Sequence, residues 1–134
     1  MNRRLEHWVP EGRALHVIDI ENLLGNPRNL LLIPRAVHAY RGRVGFCTDD
    51  HAVIACNDAL ILPVHEVWPG AHRMVGRGPD GADRALLGVC NPADIARRYA
   101  RVVLGSGDHI FAPLAASLRA HGVPVDVISR PEAL

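Results

Sequence analysis

Apolar positions fall along this chain either in short continuous runs or in helical stripes, and the two kinds of pattern alternate. Ala14–Ile20 (ALHVIDI) is a near-continuous apolar run of strand length, as expected of a strand covered on both faces. Gly25, Asn26 and Pro27 are turn residues, and a helical segment follows with Pro34 placed at a helix start and Val37 and Tyr40 on its inner face. Arg43–Thr48 (RVGFCT) reads as a second strand. Asp49 and Asp50 then stand where a helix is capped, with a stripe of Ala52, Val53, Cys56, Ala59 and Leu60. Leu62–Trp68 (LPVHEVW) reads as a third strand, and Pro69–Gly81, rich in Gly and Pro and carrying Arg73 and Arg77, as a basic loop. Asp80–Cys90 predicts a helix buried through Ala82, Ala85, Leu86 and Val89, and Asn91-Pro92 caps a second that runs to about Ala100. Arg101–Leu118 (RVVLGSGDHIFAPLAASL) is a buried strand, a Gly-Ser-Gly turn, an exposed acid at Asp108, and a helix with its apolar face on Phe111, Leu114, Ala115 and Leu118. Val123–Ser129 is a last strand.

Strands alternating with helices at this spacing imply right-handed βαβ crossovers and a parallel sheet covered on both faces, an α/β domain. Residues 14–134 are expected to form one domain, preceded by an arm over residues 1–13 on which Trp8 and Val9 tuck against the body. With 134 residues, 49% of them hydrophobic and 22% charged, the composition is that of an ordinary globular domain. No apolar run approaches the ~18 residues of a membrane span, and the first ten residues lack a signal-peptide core, so no membrane contact and a cytoplasmic location are expected. Cys47, Cys56 and Cys90 are odd in number, have no CxxC spacing and read as buried reduced thiols. The net charge of +1 does not by itself argue for nucleic acid. Every strongly basic residue is Arg, and the absence of Lys excludes a Walker-type phosphate loop and Schiff-base chemistry within this chain.

In a parallel sheet the carboxyl ends of the strands and the amino ends of the following helices share one edge, where ligands of open α/β folds bind. Asp19 ends the first strand, Asp83 lies in the first turn of the helix after the third, and Asp108 starts the helix after the fourth. Three carboxylates distant in sequence are therefore expected to converge, with Glu21, Asn22, Asp49 and Asp80 close by. Clustered carboxylates repel one another unless a cation joins them, and oxygen-only ligation suits Mg²⁺ or Mn²⁺, which can activate water against a phosphodiester. Taken singly, each acid also fits a plain role at a helix start or turn.

These residues fall into a known pattern. VIDIENL (Val17–Leu23) resembles the opening D-x-x-N motif of the NYN domains, a branch of the PIN-like ribonuclease superfamily. GADRAL (Gly81–Leu86) resembles their G-x-D-x-x-L helix motif, and Val102–Ser129 is similar to their S-G-D-x-x-F-x-P-L segment with its helix and closing strand. The resemblance runs from about Ala14 to Ser129. It implies a three-layer sandwich around a five-stranded parallel sheet of order 3-2-1-4-5, and metal-dependent cleavage of RNA. Asp19, Asp83 and Asp108 would be the metal-side carboxylates, Asn22 would orient the first of them, and Ser106 and His109 would support the site. His109 could contact phosphate or act as a general acid, and Arg73, Arg77 and Arg84 could take RNA phosphates bidentately. An inhibitory protein partner or a homodimer would fit the same family.

The chain departs from that pattern at three positions. Ile110 and Val89 stand where the family carries further acids, and Asp80 where it commonly carries Lys. A catalytically weakened PIN-like domain, serving as an RNA- or protein-binding module, is the alternative these departures imply. A phosphatase of the haloacid-dehalogenase type is disfavoured, because Asp19-Ile20-Glu21 is not D-x-D and the required Lys is absent.

Overall fold

The apolar run that opens the chain becomes β1 (Ala14–Asp19), and all six of its residues are buried. A strand with no exposed residue must be covered on both faces, and the fold is organised to do this. The computed structural model describes residues 12–24, 30–75, 81–106 and 109–128, with backbone alone at Ala82, Asp83 and Ala85 among others. The amino-terminal arm with Trp8 and Val9, the Gly25–Pro27 turn, Arg77, Asp80, Asp108 and Ser129 lie outside the described residues.

After β1 come α1 (Ile20–Leu24), α2 (Ile33–Val44), β2 (His51–Cys56), α3 (Ile61–Val67), β3 (His72–Val75), α4 (Gly81–Gly88), α5 (Pro92–Arg98), β4 (Arg101–Gly105), α6 (Ala112–Ala120) and β5 (Val125–Val127). The five strands form one sheet of order β3-β2-β1-β4-β5, with every pairing parallel. This is the α/β architecture expected from the alternating pattern and the strand order that the resemblance implies.

Alternation along the strands divides the core in two. Ile18, Ile54 and Val103 face one layer, where α2 and α3 contribute Ile33, Val37, Tyr40 and Val64. Leu15, Val17, Val102 and Leu104 face the other, covered by Leu86, Ile95, Leu114 and Leu118 from α4, α5 and α6. Leu86, Phe111, Leu114, Ala115 and Leu118 are buried, as their helical spacing predicted, whereas Val89, expected on the same buried face as Leu86, is exposed because α4 ends at Gly88.

The middle of the chain differs from expectation. Arg43 and Val44 are the last turn of α2, which stops at Gly45 in the left-handed region (φ 65°), so Arg43–Thr48 is not a strand. The second strand is instead His51–Cys56, where a helix was expected. Its apolar residues match a helical stripe by position, yet Ala52–Cys56 is also an unbroken apolar run containing two β-branched residues, and burial on both faces selects the strand. Leu62–Trp68, expected as a strand, lies mostly in α3. Leu60, Val64 and Trp68 recur at four-residue intervals and are all buried, and Pro63 falls in the first turn, where a missing N–H costs nothing. The third strand then begins at His72, inside the segment expected to be loop.

Candidate functional site

From β1 the chain winds outward to β2 and β3 on one side, then returns to place β4 against the other edge of β1 and moves on to β5. The connections diverge between β1 and β4, and this is the position at which open α/β sheets leave a crevice beyond their carboxyl ends. Ile18 pairs with Gly105 across that junction, so the next residues of the two strands, Asp19 and Ser106, emerge side by side.

Both side chains are buried, Asp19 to 6% exposure and Ser106 to 3%. The Ser106 hydroxyl lies 3.5 Å from Asp19 Oδ2, at the outer limit of a hydrogen bond. The Asn22 backbone N–H donates to Asp19 Oδ1 at 3.3 Å. Asp19 therefore acts as the N-cap of α1, accepting from the third helical residue, and part of the orienting role expected of Asn22 is carried by its main chain. Glu21, in the first turn of α1, is held by Asn57 just past β2, whose Nδ2 donates to Glu21 Oε1 at 2.8 Å. Asn57 also accepts from the Ala59 N–H at 2.9 Å, so it joins two carboxyl-edge turns. Sequence patterning had missed Asn57, because its place at this edge depends on His51–Cys56 being a strand.

The remaining expected residues are distributed as follows. Asp83 lies in the first turn of α4, and its side chain is outside the described residues, as are Asp108, Asp80 and Arg77 in full. His109 opens the 3-10 turn His109–Phe111 and is exposed. Arg84 is exposed on α4. Arg73 belongs to β3, and its Nη1 is 3.4 Å from the carbonyl of Ala71 at the amino end of that strand. Among the described residues, no three His, Cys, Asp or Glu side chains form a group that could hold a metal ion.

Asp49 was expected near this edge and Asp50 as a helix cap, and the structure puts both at the opposite edge, because they precede the strand β2. Asp50 accepts from the backbone N–H groups of Ala14 at 2.9 Å and Cys47 at 3.0 Å, and its Oδ2 is 3.0 Å from Nε2 of His16. His16 is fully buried in β1, and its Nδ1 is 2.8 Å from the Tyr40 hydroxyl. Burial would raise the Asp50 carboxyl, but the two backbone donors and His16 outweigh it and hold the group below its ordinary range. Burial lowers the His16 imidazole, Arg101 adds to the effect, and the hydrogen bond to Asp50 opposes it without reversing it. A neutral His16 thus donates from Nε2 to Asp50 and accepts from Tyr40, whose hydroxyl burial keeps protonated. This cluster ties β1, α2 and the turn before β2 together and has no access to the carboxyl edge.

Beside Ser106 a cavity of about 240 Å³ opens between β4, β5 and α6. Among the described residues, no helix is long and apolar enough to cross a membrane. No protein-family model, characterised protein or solved structure matched this chain in the comparisons made.

Proposed function

We propose that this chain is a metal-dependent ribonuclease whose reacting edge is the crevice between β1 and β4. The observation that carries the reading is the buried Asp19 carboxylate at that junction, held by the Asn22 N–H and flanked by Ser106. A capping acid needs no such location, whereas ligands of doubly wound sheets bind there. The resemblance to NYN domains points the same way and supplies the other two acids, Asp83 and Asp108.

Asp19, Asp83 and Asp108 would hold one Mg²⁺ or Mn²⁺ ion, a hard cation suited to an all-oxygen donor set. When bound, the ion supplies an activated water and neutralises charge on the phosphodiester. The chain's own groups do the rest: Ser106 and the Asn22 amide fix the Asp19 carboxylate, and exposed Arg84 receives a flanking phosphate through its guanidinium fork. His109 stands on the first turn after β4 as a donor to phosphate.

The test is cleavage of unstructured RNA in Mn²⁺ by the protein and by Asp19→Asn. Because Asn caps a helix about as well as Asp, the variant keeps its melting temperature while losing cleavage. Metal-dependent cleavage that survives unchanged in Asp19→Asn overturns the proposal.

One observation favours the alternative of a weakened domain that binds RNA or protein. Ile110, where the resemblance expects a second acid, is partly buried against the core layer of Leu104 and Phe111. The two readings separate on metal binding. A rise in melting temperature with Mn²⁺ that disappears in Asp108→Asn supports the nuclease, and no rise in either protein supports the binding module.

A further inference from the structure

The cavity beside Ser106 lies outside the carboxylate chemistry but directly adjoins it, since Ser106 both lines it and contacts Asp19. Its walls are Leu104, Phe111, Ala115 and Val127, and the last of these, on the edge strand, is 49% exposed although apolar. Among the described residues its polar lining comes from Ser106, His109 and Arg119, and of these Arg119 brings the most N–H donors. Arg119, which lines the cavity, is anchored on α6 by an Nη2 hydrogen bond to the Val125 carbonyl at 3.0 Å, a bond that uses one of its five N–H donors.

We propose that this cavity is a base-recognition subsite that takes one unpaired guanine of the RNA strand lying across the Asp19 edge. The inference rests on reading that edge as an RNA site and adds its specificity. At about 240 Å³ the space is below the ~300–1,000 Å³ typical of pockets for drug-sized ligands, so it suits a single flat heterocycle. Apolar walls receive the faces of an unstacked base, and single-stranded RNA is the substrate that presents bases in this way. The Arg119 guanidinium on the lining selects the edge to be read. Guanine offers two adjacent acceptors, O6 and N7, which match an arginine fork, whereas adenine and cytosine place an amino donor there that arginine cannot accept.

The experiment uses isotope-labelled protein in EDTA, so that it is independent of metal and of cleavage. Guanosine and cytidine 5′-monophosphates, and single-stranded octamers with and without one guanosine, are titrated while the methyl signals of Ala112, Ala115 and Val127 are followed. The expected result is that the guanosine nucleotide and the guanosine-containing octamer shift these signals at concentrations on the order of tenfold below their counterparts. Arg119→Lys, which keeps the charge and a donor for Val125 but loses the fork, should abolish the preference. Ala112→Leu, at an exposed position on the cavity lining, should weaken both ligands on an otherwise unchanged spectrum. Equal response to guanosine and cytidine nucleotides, no response at Val127, or binding of the mononucleotide with which the octamer does not compete would each overturn the subsite. Cleavage without guanosine binding removes this inference alone, while guanosine binding without cleavage removes only the nuclease reading.

Discussion

At the scale of single residues, two buried side chains of β1 do different work at opposite ends of one strand. Asp19 is part of the candidate site, and His16 is structural. Because the folded protein keeps His16 neutral while an unfolded chain titrates near the ordinary value of 6.5, lowering the pH through that value protonates only the unfolded state. Stability should therefore fall below about pH 6.5, by at most ~1.4 kcal/mol per pH unit from this group. The Asp50 carboxylate, held below 3.8, keeps its contribution throughout that window and loses it only at lower pH. Melting temperatures of the protein and of His16→Gln between pH 5 and 7 check this, and the variant should show the flatter profile. His16 is where patterning along the chain was least informative. A His inside an apolar run reads as an interruption, and its partner Asp50 reads as a helix cap until the following residues are known to form a strand.

At the scale of elements, the ends of the chain were legible and the middle was not. β1, β4 and α6 announce themselves because a strand-length apolar run ends in an acid or in Gly and Ser, and the helix that follows has an unambiguous stripe. Between residues 43 and 75 the same apolar residues satisfy both periods. Only the requirement that a strand beside β1 be buried on both faces decides for His51–Cys56. The acids of the site suffered accordingly: Asp19, at the end of a legible strand, fell where expected, and Asp49 and Asp50 fell at the far edge. The junction of β1 and β4 also depends on close packing that spacing does not reveal. A Cβ at Gly105 would come within 3.3 Å of Ile18 Cγ1 and 3.3 Å of Tyr40 Cε1, both on buried side chains with little room to yield. Gly105→Ala should cost ~1–3 kcal/mol by overpacking, read as a lower midpoint of denaturant unfolding with an unchanged slope.

For the whole molecule, a net charge of +1 sets the terms of any association with RNA. There is no large positive field, so affinity must come from a few phosphate contacts and from base recognition. The salt dependence of binding should then be shallow, with each neutralised phosphate contributing a slope of about −0.7 on single strands. If Arg84 takes a phosphate as proposed, Arg84→Gln at this exposed helix position should reduce the slope by about that amount, measured by fluorescence anisotropy across a salt series.

The order of the sheet also has a consequence in time. Asp19 and Ser106 are 87 residues apart in the chain, and the crevice between them exists only once β4 has docked against β1. A polypeptide leaving the ribosome can pair β1 with β2 and β3 well before then, but its carboxyl edge has only one wall. Whatever the completed edge binds or cuts, a nascent chain, or a fragment ending before Arg101, is inert towards it.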